Sequence, residues 1–588
     1  MMKIKCLMKL ALLVYGMSLL AYSCKPTQSS STIASLMHNT VNGLYASGEW
    51  KKFDSLNQND ILTYFSKQDQ QVLAEKYWEF EINEDAMLYI ARDKNQQEIP
   101  FWLIRNGFQK TDLSLANESV EYEVWKKRFS KGLVQLGING FDRHRFVYFT
   151  LVQPEKQQDH FKISPRYPIQ QSVTKLSKGV STYQDWTELQ LQEIPEALQG
   201  SYLLDTYRGR SREAHLQKAF RTTHFPSSPM ADQILLTWTG DPSTSQHISW
   251  RSATSVKQSK LRYWKENEKD TLSVDALVER LVDIQLANDS EINRFHVDLT
   301  GLSAGTKYAY QIVTDQQKSI SYSFQTSSHV DSMEFGWFGD IHNDDIWAKY
   351  VPKWKNSFPN AQFYLLTGDL VNTGQYRDHW DQLMNGLSTI GASRPIMAVP
   401  GNHDSQEGIF PSMYQHFLKY PNHGPFVEAN GLTYSFVYGH SKFLMLDGVT
   451  FSTASQKKWL EEELKASKEK FKIVCFHFAP YTFESTYADI LSDWIPLFDQ
   501  YGVDLVLSGH FHYYLRTQGE KSKSSPMYVM SVATSVKSRD DIQVLKDAHW
   551  KNQGYLYQHI KINKNKLELW SVDTAGVQVD YVKIIKPN

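Results

Sequence analysis

Five short stretches of this sequence place metal-binding side chains directly after runs of apolar residues. They are GDIH at 339–342, GDLVN at 368–372, GNHD at 401–404, FHFAP at 476–480 and GHFH at 509–512. They offer carboxylates, imidazoles and carboxamide, and no thiolate. Such mixed oxygen and nitrogen ligands suit Mn, Fe, Zn or Co, whereas Mg and Ca prefer mostly oxygen. The donors suffice for two ions, and a carboxylate can bridge a pair roughly 3.5–4 Å apart, as in two-metal hydrolytic sites.

The residues before these stretches predict the strands that carry them. The runs MEFGWFGD, FYLLTGD, PIMAVPGNHD, KIVCFHFAP and VDLVLSGHFH are continuously apolar, which suits strands covered on both faces, and helical patterns separate them. In open α/β sheets, ligands bind at the carboxyl ends of the strands. A single Gly-Asp pair is a common turn, and a lone histidine in an apolar strand is usually a core residue. Five such strand ends in one chain make coincidence improbable.

The rest of the chain is expected to form further domains. It has 588 residues, well beyond the roughly 250–300 at which one core stops growing. Short alternating strands with the piece LTGLSAGTKYAYQI resemble a fibronectin type III-like sandwich. We expect a signal peptide at 1–24, a tether and helical segment at 25–77, an accessory β-rich domain at 78–225, the fibronectin type III-like domain at 226–330 and an α/β domain at 331–588.

The first residues have the pattern of an export signal. Lysines stand at positions 3, 5 and 9, and an apolar run too short to span a bilayer ends at Ser23-Cys24. This resembles a bacterial lipoprotein signal, so we expect a lipid on Cys24 that anchors the protein to the cell envelope, in the periplasm or at the outer membrane. The alternative is a plain secretory signal with a chance cysteine. Only Cys475 would remain in the mature chain without a partner, so no disulfide is expected.

Composition limits the partners. Lys+Arg number 63 and Asp+Glu 64, which gives a net charge of -1. This balance gives no overall positive electrostatic field that would attract nucleic acid, so nucleic acid is not expected as a partner. A membrane, reached through the lipid on Cys24, is an expected partner. The upstream domains are expected to act as spacers or to shape the substrate entrance.

The ordered blocks GDIH, GDLVN, GNHD, FHFAP and GHFH resemble the calcineurin-like metallophosphoesterase superfamily. The preceding sandwich and the pieces GPFVEANGLTYSFVYG and QKKWLEEEL are similar to its purple acid phosphatase-like branch. The resemblance implies a multidomain protein: an α/β four-layer (αββα) sandwich at the C-terminus, preceded by all-β sandwich domains. It also implies two divalent or trivalent transition-metal ions, Fe, Mn or Zn, whose identities stay open.

The resemblance assigns roles to individual residues. One metal would be bound by Asp340, His342 and His512. The other would be bound by Asn402, His477 and His510, with Asp369 bridging the two.

Residues beside these ligands receive further roles from the resemblance. His403 would face the substrate, stabilise charge on the phosphoryl group and protonate the leaving oxygen, and Asp404 would orient His403. Tyr514 and Arg516 are candidates for substrate contact, because a guanidinium can bind phosphate through two hydrogen bonds. For Arg516 an ordinary surface arginine is the equally plausible alternative.

The sequence departs from true purple acid phosphatases at two positions. Their ferric-binding tyrosine is replaced by Asn372, and His342 stands where they have glycine. His342 can fill the coordination position that the tyrosine vacates. We therefore expect a dinuclear site without the purple ferric-tyrosinate colour.

These observations predict an exported phosphoesterase that hydrolyses phosphomonoesters by attack of metal-bound hydroxide, like an acid phosphatase. The same site would also suit a phosphodiesterase or a nucleotide hydrolase. A third possibility, from a different class, is a non-catalytic surface lipoprotein whose sheet edge only binds a ligand.

Overall fold

The computed structural model describes residues 32–587, except 157–159, 169–170, 185, 269, 316, 329–331, 406–409, 484–486, 519–524 and 537–547. The predicted signal peptide and Cys24 lie outside the described residues. In the described part of the chain, no helix has the length and apolar character needed to cross a bilayer.

The N-terminal unit combines short helices with three β-sheets. The helices are Ile33–Ser47, Trp50–Phe53, Gln58–Leu62, Lys67–Glu75 and Phe101–Arg105, with 3-10 turns at Glu196–Leu198 and Arg210–Ala214. The six-stranded sheet contains, in spatial order, Gln109–Ala116, Glu121–Phe129, Ala86–Asp93, Phe149–Pro154, Tyr202–Leu204 and Val173–Lys175. Gly132–Leu136, Trp78–Ile82 and Ile163–Tyr167 form a three-stranded sheet, and Ser181–Tyr183 pairs with Trp186–Gln190.

The four helices before residue 78 share a hydrophobic core with this β-rich unit. Leu36 and Leu44 of the first helix lie in the same buried cluster as Trp78 and Trp102. The boundary expected at residues 77 and 78 therefore falls inside one packed unit, because the amphipathic helices bury their apolar faces on the strands rather than standing alone.

The middle unit is a sandwich of two four-stranded antiparallel sheets. One contains Asp232–Thr237, Gln246–Ala253, Glu291–Leu299 and Leu277–Val282; the other contains Leu272–Asp275, Ser259–Lys265, Lys307–Thr314 and Tyr322–Gln325. Trp250, Phe295 and Tyr310 are fully buried between the sheets. Its description as fibronectin type III-like stays a prediction.

The C-terminal unit contains two larger sheets. The first is ordered Ile396–Val399, Phe363–Thr367, Ser332–Phe338, Tyr557–Asn563, Lys566–Val572 and Gln578–Ile585. The second is ordered Tyr434–Tyr438, Ser441–Met445, Phe471–Phe478, Leu505–Gly509, Met527–Met530, Tyr514–Gln518 and His549–Lys551. One hydrophobic core joins their facing surfaces, with Phe335 and Phe443 in edge-to-face contact.

Helices cover the outer faces of both sheets. Asp345–Ser357 and Arg377–Gly391 pack on the first sheet, where Trp347 meets Phe338. Thr453–Ala466, Ala488–Asp493 and Ile495–Tyr501 cover the second; the remaining short helical elements are Asn402–Ser405, Ser412–Phe417 and Val427–Ala429. The predicted multidomain fold, β-rich first and four-layered α/β at the C-terminus, is confirmed.

A network of buried charges joins the sandwich to the C-terminal unit. Asp381 lies fully buried between Arg251 of the sandwich, at 2.9 Å, and Arg377 of its own helix, at 3.2 Å. Arg251 also pairs with Asp232 at 2.6 Å, and Arg377 with Asp289 at 3.2 Å. Each buried guanidinium thus meets more than one carboxylate, as buried charges require.

Candidate metal centre

Three predicted ligands follow neighbouring parallel strands of the first sheet. Asp340 stands two residues after Ser332–Phe338, Asp369 two residues after Phe363–Thr367, and Asn402 three residues after Ile396–Val399. Because these strands are parallel neighbours in the sheet, their carboxyl ends meet at one edge. The chain thereby delivers the three side chains to a single place.

The histidines come from the second sheet. His477 lies within Phe471–Phe478, and His510 and His512 follow the adjacent parallel strand Leu505–Gly509. The two sheet edges are joined directly, since the backbone N–H of Ala533 donates to the carbonyl of Asp340 at 2.9 Å. Packing of the two sheets therefore sets imidazoles opposite carboxylates.

The first group of donors contains Asp340, His342 and His512. Their ligand atoms lie within 4.8 Å of one another. Nε2 of His512 is 3.5 Å from Oδ2 of Asp340 and 3.0 Å from Nε2 of His342. Two imidazole nitrogens and a carboxylate oxygen thus point into one small volume.

The second group contains Asn402, His477 and His510, with Asp369 between the groups. Nε2 of His477 lies 3.0 Å from Oδ1 of Asn402 and 3.3 Å from Oδ1 of Asp369. Asp369, His477 and His510 have ligand atoms within 4.8 Å of one another. The other oxygen of Asp369, Oδ2, lies 3.6 Å from His342 Nε2. One oxygen faces each group, which is the arrangement that a bridging carboxylate requires.

Backbone carbonyls orient two of the histidines. Nδ1 of His477 donates to the carbonyl of Thr367 at 2.8 Å, and Nδ1 of His512 to that of Ser535 at 3.2 Å. A proton held on Nδ1 leaves the Nε2 lone pair for coordination, the usual arrangement of a metal-bound histidine.

The backbone at the site adopts conformations that are rare elsewhere. His342, Asp369 and His510 have φ values of 54°, 49° and 83°. Non-glycine residues in this region carry strain and cluster at functional sites. The close approach also needs glycine, because a Cβ on Gly401 would overlap the Asp369 carboxylate and a Cβ on Gly509 that of Asp340.

Electrostatics at the site favour bound cations. Burial would raise the pKa of Asp369, but His477 and His403 hold it well below its usual range. Burial would likewise lower the pKa of His477, yet Asp369 and Asp340 raise it to about 9. The buried carboxylates thus demand positive charge nearby. Mixed carboxylate, imidazole and amide donors in two adjoining groups fit a pair of transition-metal ions.

The carboxylate of Asp404 binds backbone groups, whereas it was predicted to orient the ring of His403. Its carboxylate accepts hydrogen bonds from the backbone N–H groups of Leu370 at 3.0 Å, Val371 at 3.1 Å and Gly401 at 2.9 Å. The ring of His403 is instead oriented through Nδ1, which donates to the carbonyl of Asn372 at 3.0 Å. Asp404 therefore braces the loops that carry Asp369 and Asn402. Burial and the nearby Asp369 charge raise the pKa of Asp404, and the hydrogen bonds from the three backbone N–H groups oppose that rise.

Tyr514 and Arg516 are not brought to the site. The hydroxyl of Tyr514 is buried and donates to Asp580 at 2.8 Å, and Arg516 binds the same carboxylate through Nε at 2.6 Å and a terminal nitrogen at 3.2 Å. Asp580 belongs to the first sheet and the other two to the second. We therefore assign the trio to the support of the sheet pair rather than to substrate contact.

Asn372 stabilises the loop of the predicted ligand His342. Its side-chain Nδ2 donates to the carbonyl of His342 at 3.0 Å, and its backbone N–H donates to Oδ1 of Asn343 at 2.9 Å. The residue that stands in place of a tyrosine thus ties together the two loops on which His342 and Asp369 stand.

An open pocket of about 620 Å³ lies in front of the first group. His342, His403, His512 and Asn372 line it, and so do residues that the sequence did not single out: Arg145, Asn343, Asp344, Asp345, Ile346, Gln382, Thr534 and Ser535. Asn343, Asp344 and Asp345 directly follow the GDIH stretch, which is a signal that could have found them. Arg145 comes from the N-terminal unit, and no local pattern marks it.

Comparisons with known proteins agree with this geometry. The calcineurin-like phosphoesterase family matches residues 333–514, and the purple acid phosphatase N-terminal domain family matches residues 231–326. The chain is 28% identical over 276 residues to an uncharacterized protein of Mycobacterium tuberculosis, covering 39% of this chain and 52% of that protein. It is 26% identical over 253 residues to purple acid phosphatase 21 of Arabidopsis thaliana, covering 40% of this chain and 56% of the relative.

A solved structure shares the fold. Purple acid phosphatase PPD1 from yellow lupin seeds superposes with a TM-score of 0.51 at 13% identity, covering 87% of this chain and 93% of that one. The chain spans about half the length of the curated relatives it matches. Residues 333–514 therefore form a calcineurin-like phosphoesterase domain, a purple acid phosphatase N-terminal domain precedes it at 231–326, and the chain is similar to purple acid phosphatases.

Proposed function

We propose that this protein is an exported, dinuclear metal-dependent phosphoesterase that hydrolyses phosphomonoesters. One observation carries the proposal: seven side chains from two sheets converge into two adjoining donor groups, with one oxygen of Asp369 directed at each. Phosphomonoesters are preferred because the named relatives include purple acid phosphatases.

The predicted ligands hold the metals in this proposal. Asp340, His342 and His512 form one site, Asn402, His477 and His510 form the other, and Asp369 is shared. Two metal ions held by these residues would supply Lewis-acid chemistry, which lowers the pKa of water and neutralises charge on the oxygens of the ester. The carbonyls of Thr367 and Ser535 keep the histidine rings oriented throughout.

His403 acts on the substrate in this proposal. It lines the pocket and its ring stands edge-on to that of His342, with centroids 4.7 Å apart. Since Nδ1 is engaged by the carbonyl of Asn372, Nε2 is the atom that we assign to the phosphoryl group. There it would stabilise developing negative charge and protonate the leaving oxygen.

The location of the protein is part of the same proposal. Cleavage before Cys24 and lipidation of that residue would attach the enzyme to the bacterial cell envelope. Mass spectrometry of the N-terminal peptide from membrane fractions tests this, and Cys24→Ser should release the protein from them. A mature chain that retains residues 1–23 would contradict it.

The central experiment combines metal analysis with a substrate comparison. Purified protein should contain about two transition-metal ions per chain and hydrolyse p-nitrophenyl phosphate faster than bis(p-nitrophenyl) phosphate at equal metal loading. The opposite preference would identify a diesterase. Protein without stoichiometric metal, inert when Fe, Mn or Zn is supplied, would refute the proposal.

A variant pair tests the role of His403. His403→Ala should reduce kcat by about 10²–10⁴-fold, the usual contribution of acid–base catalysis, while metal content stays near that of the wild type. His38→Ala removes an exposed histidine of the first helix and should change neither quantity. Unaltered turnover in His403→Ala would exclude the assigned role.

A further inference from the structure

The N-terminal unit contributes a wall of the pocket in front of the metal centre. Arg145 lines this pocket together with His342, His403 and His512. It lies in the segment between the strands Gly132–Leu136 and Phe149–Pro154, in a different domain from every predicted ligand. The matched phosphoesterase and purple acid phosphatase N-terminal domains, at 333–514 and 231–326, do not include it.

Contacts of Arg143, which lies in the same segment as Arg145, and of Arg221 hold the N-terminal unit against the C-terminal unit. The guanidinium of Arg143 lies 4.9 Å from the ring centre of Tyr376 and 3.4 Å from Oγ1 of Thr373. Arg221 packs on the same ring at 3.8 Å and forms an ion pair with Asp378 at 3.0 Å. Cation–π and ion-pair contacts therefore dock the N-terminal unit on the loop that follows Asp369 and Asn372.

The same segment is anchored within its own domain. Nε2 of His144 lies 2.9 Å from Oδ2 of Asp93. The carbonyl of Asn139 accepts from Nε2 of Gln96 at 2.8 Å, and Oδ1 of Asn139 accepts from the backbone N–H of Tyr148 at 3.2 Å. Arg145 thus stands on a segment braced on both sides, which limits the positions that its backbone can adopt.

Arg145 brings a guanidinium to the wall of this pocket. Among the described residues that line the pocket, Arg145 is the one arginine or lysine. Two acidic residues also line the pocket: Asp344 caps the helix Asp345–Ser357 and accepts from Thr534, and Asp345 accepts from Gln382. A planar guanidinium can bind two oxygens of one phosphoryl group at once.

We propose that Arg145 is a substrate-positioning residue, supplied by the N-terminal domain, that binds phosphoryl oxygens of the ester held at the metal centre. This inference rests on the proposed function. It gives the N-terminal domain a direct part in binding phosphate, and it predicts that the two domains act as one unit.

The test uses the metal-loaded full chain with Arg145→Ala, Arg145→Lys and the matched control Arg105→Ala, which removes an exposed arginine of the same domain from outside the pocket. Arg145→Ala should raise KM for p-nitrophenyl phosphate about tenfold or more, as expected for loss of a charge-assisted hydrogen bond, and change kcat less than threefold. Arg145→Lys should recover part of the loss, and Arg105→Ala should match the wild type.

Calorimetric titration with inorganic phosphate separates the two proposals. Arg145→Ala should weaken phosphate binding by a similar factor with unchanged metal content. KM and phosphate affinity within twofold of Arg105→Ala would overturn the inference while leaving the phosphoesterase proposal intact. If the wild type binds phosphate and hydrolyses no ester, the proposed function fails, and the phosphate titration alone then decides for or against Arg145.

Discussion

Replacement of Asp404 by asparagine separates two roles for that residue. Its carboxylate accepts three backbone N–H groups, from Leu370, Val371 and Gly401. Asparagine keeps one acceptor oxygen but turns an NH₂ group toward a backbone N–H. We therefore expect the loss of about one hydrogen bond to a charged group, about 1.5–3 kcal/mol.

This energy corresponds to about 10–100-fold in an equilibrium constant. Because the braced loops carry Asp369 and Asn402, the loss should appear as weaker metal binding of that order, as is usual for groups that support metal ligands. The assay is a metal titration against a competing chelator, with kcat measured separately at saturating metal. We expect kcat at saturation to fall less than the metal affinity.

Asp447→Asn is the matched control. Asp447 is also buried, and its Oδ1 accepts from the backbone N–H groups of Val449 and Thr450, at 2.9 and 2.8 Å, in a loop that carries no predicted ligand. It should lower the stability of the fold and leave metal affinity unchanged. If Asp404→Asn lowers kcat at saturating metal and leaves metal affinity intact, the reasoning is refuted, and the role of orienting His403 regains support.

Three further predictions concern domain packing, colour and pH. Asp381→Asn should destabilise the contact between the sandwich and the C-terminal unit by about 3 kcal/mol. This is the lower end for breaking a buried ion pair, because both arginine partners keep another carboxylate. Amide hydrogen exchange in the helix that carries Asp381 should accelerate about 100-fold, whereas the exposed control Asp112→Asn should leave it unchanged; equal exchange rates in the two variants would contradict the prediction. With Asn372 in place of tyrosine, the metal-loaded protein should lack a strong visible charge-transfer band, and a purple solution would exclude the predicted ligand set. The hydrogen bond with His416 lowers the pKa of Glu279 and burial raises it, and the net result is a pKa of about 2. The stability that ionised Glu279 contributes should therefore be complete above about pH 4.5 and decline toward pH 2. The free energies of unfolding of Glu279→Gln and the wild type should converge on acidification, and a difference that does not depend on pH would contradict this.

The sequence was sufficient to predict the fold class and to single out the candidate ligands, whose roles stay a prediction. Continuous apolar runs alternating with helical patterns predict covered parallel strands, because burial on both faces removes the need for polar alternation. Parallel strands share an edge, so polar residues after each run were expected to meet. The apolar pattern does not fix the residue at which a helix begins. The helix Thr453–Ala466 has Ser452 as its N-cap, although Ser455, inside its first turn, is the same residue type.

Side-chain partners at long range were decided only by tertiary packing. Asp404 turns to backbone groups of two neighbouring loops, Arg516 turns to a carboxylate on the other sheet, and Arg145 reaches the pocket from another domain. Nothing in the residues next to each of these side chains distinguishes the partner it finds. The periodicity of apolar residues indicates which face of a helix or strand is buried, and that is a local property. Which polar groups then meet depends on how complete sheets and domains pack, and packing joins residues that are tens to hundreds of positions apart in the chain.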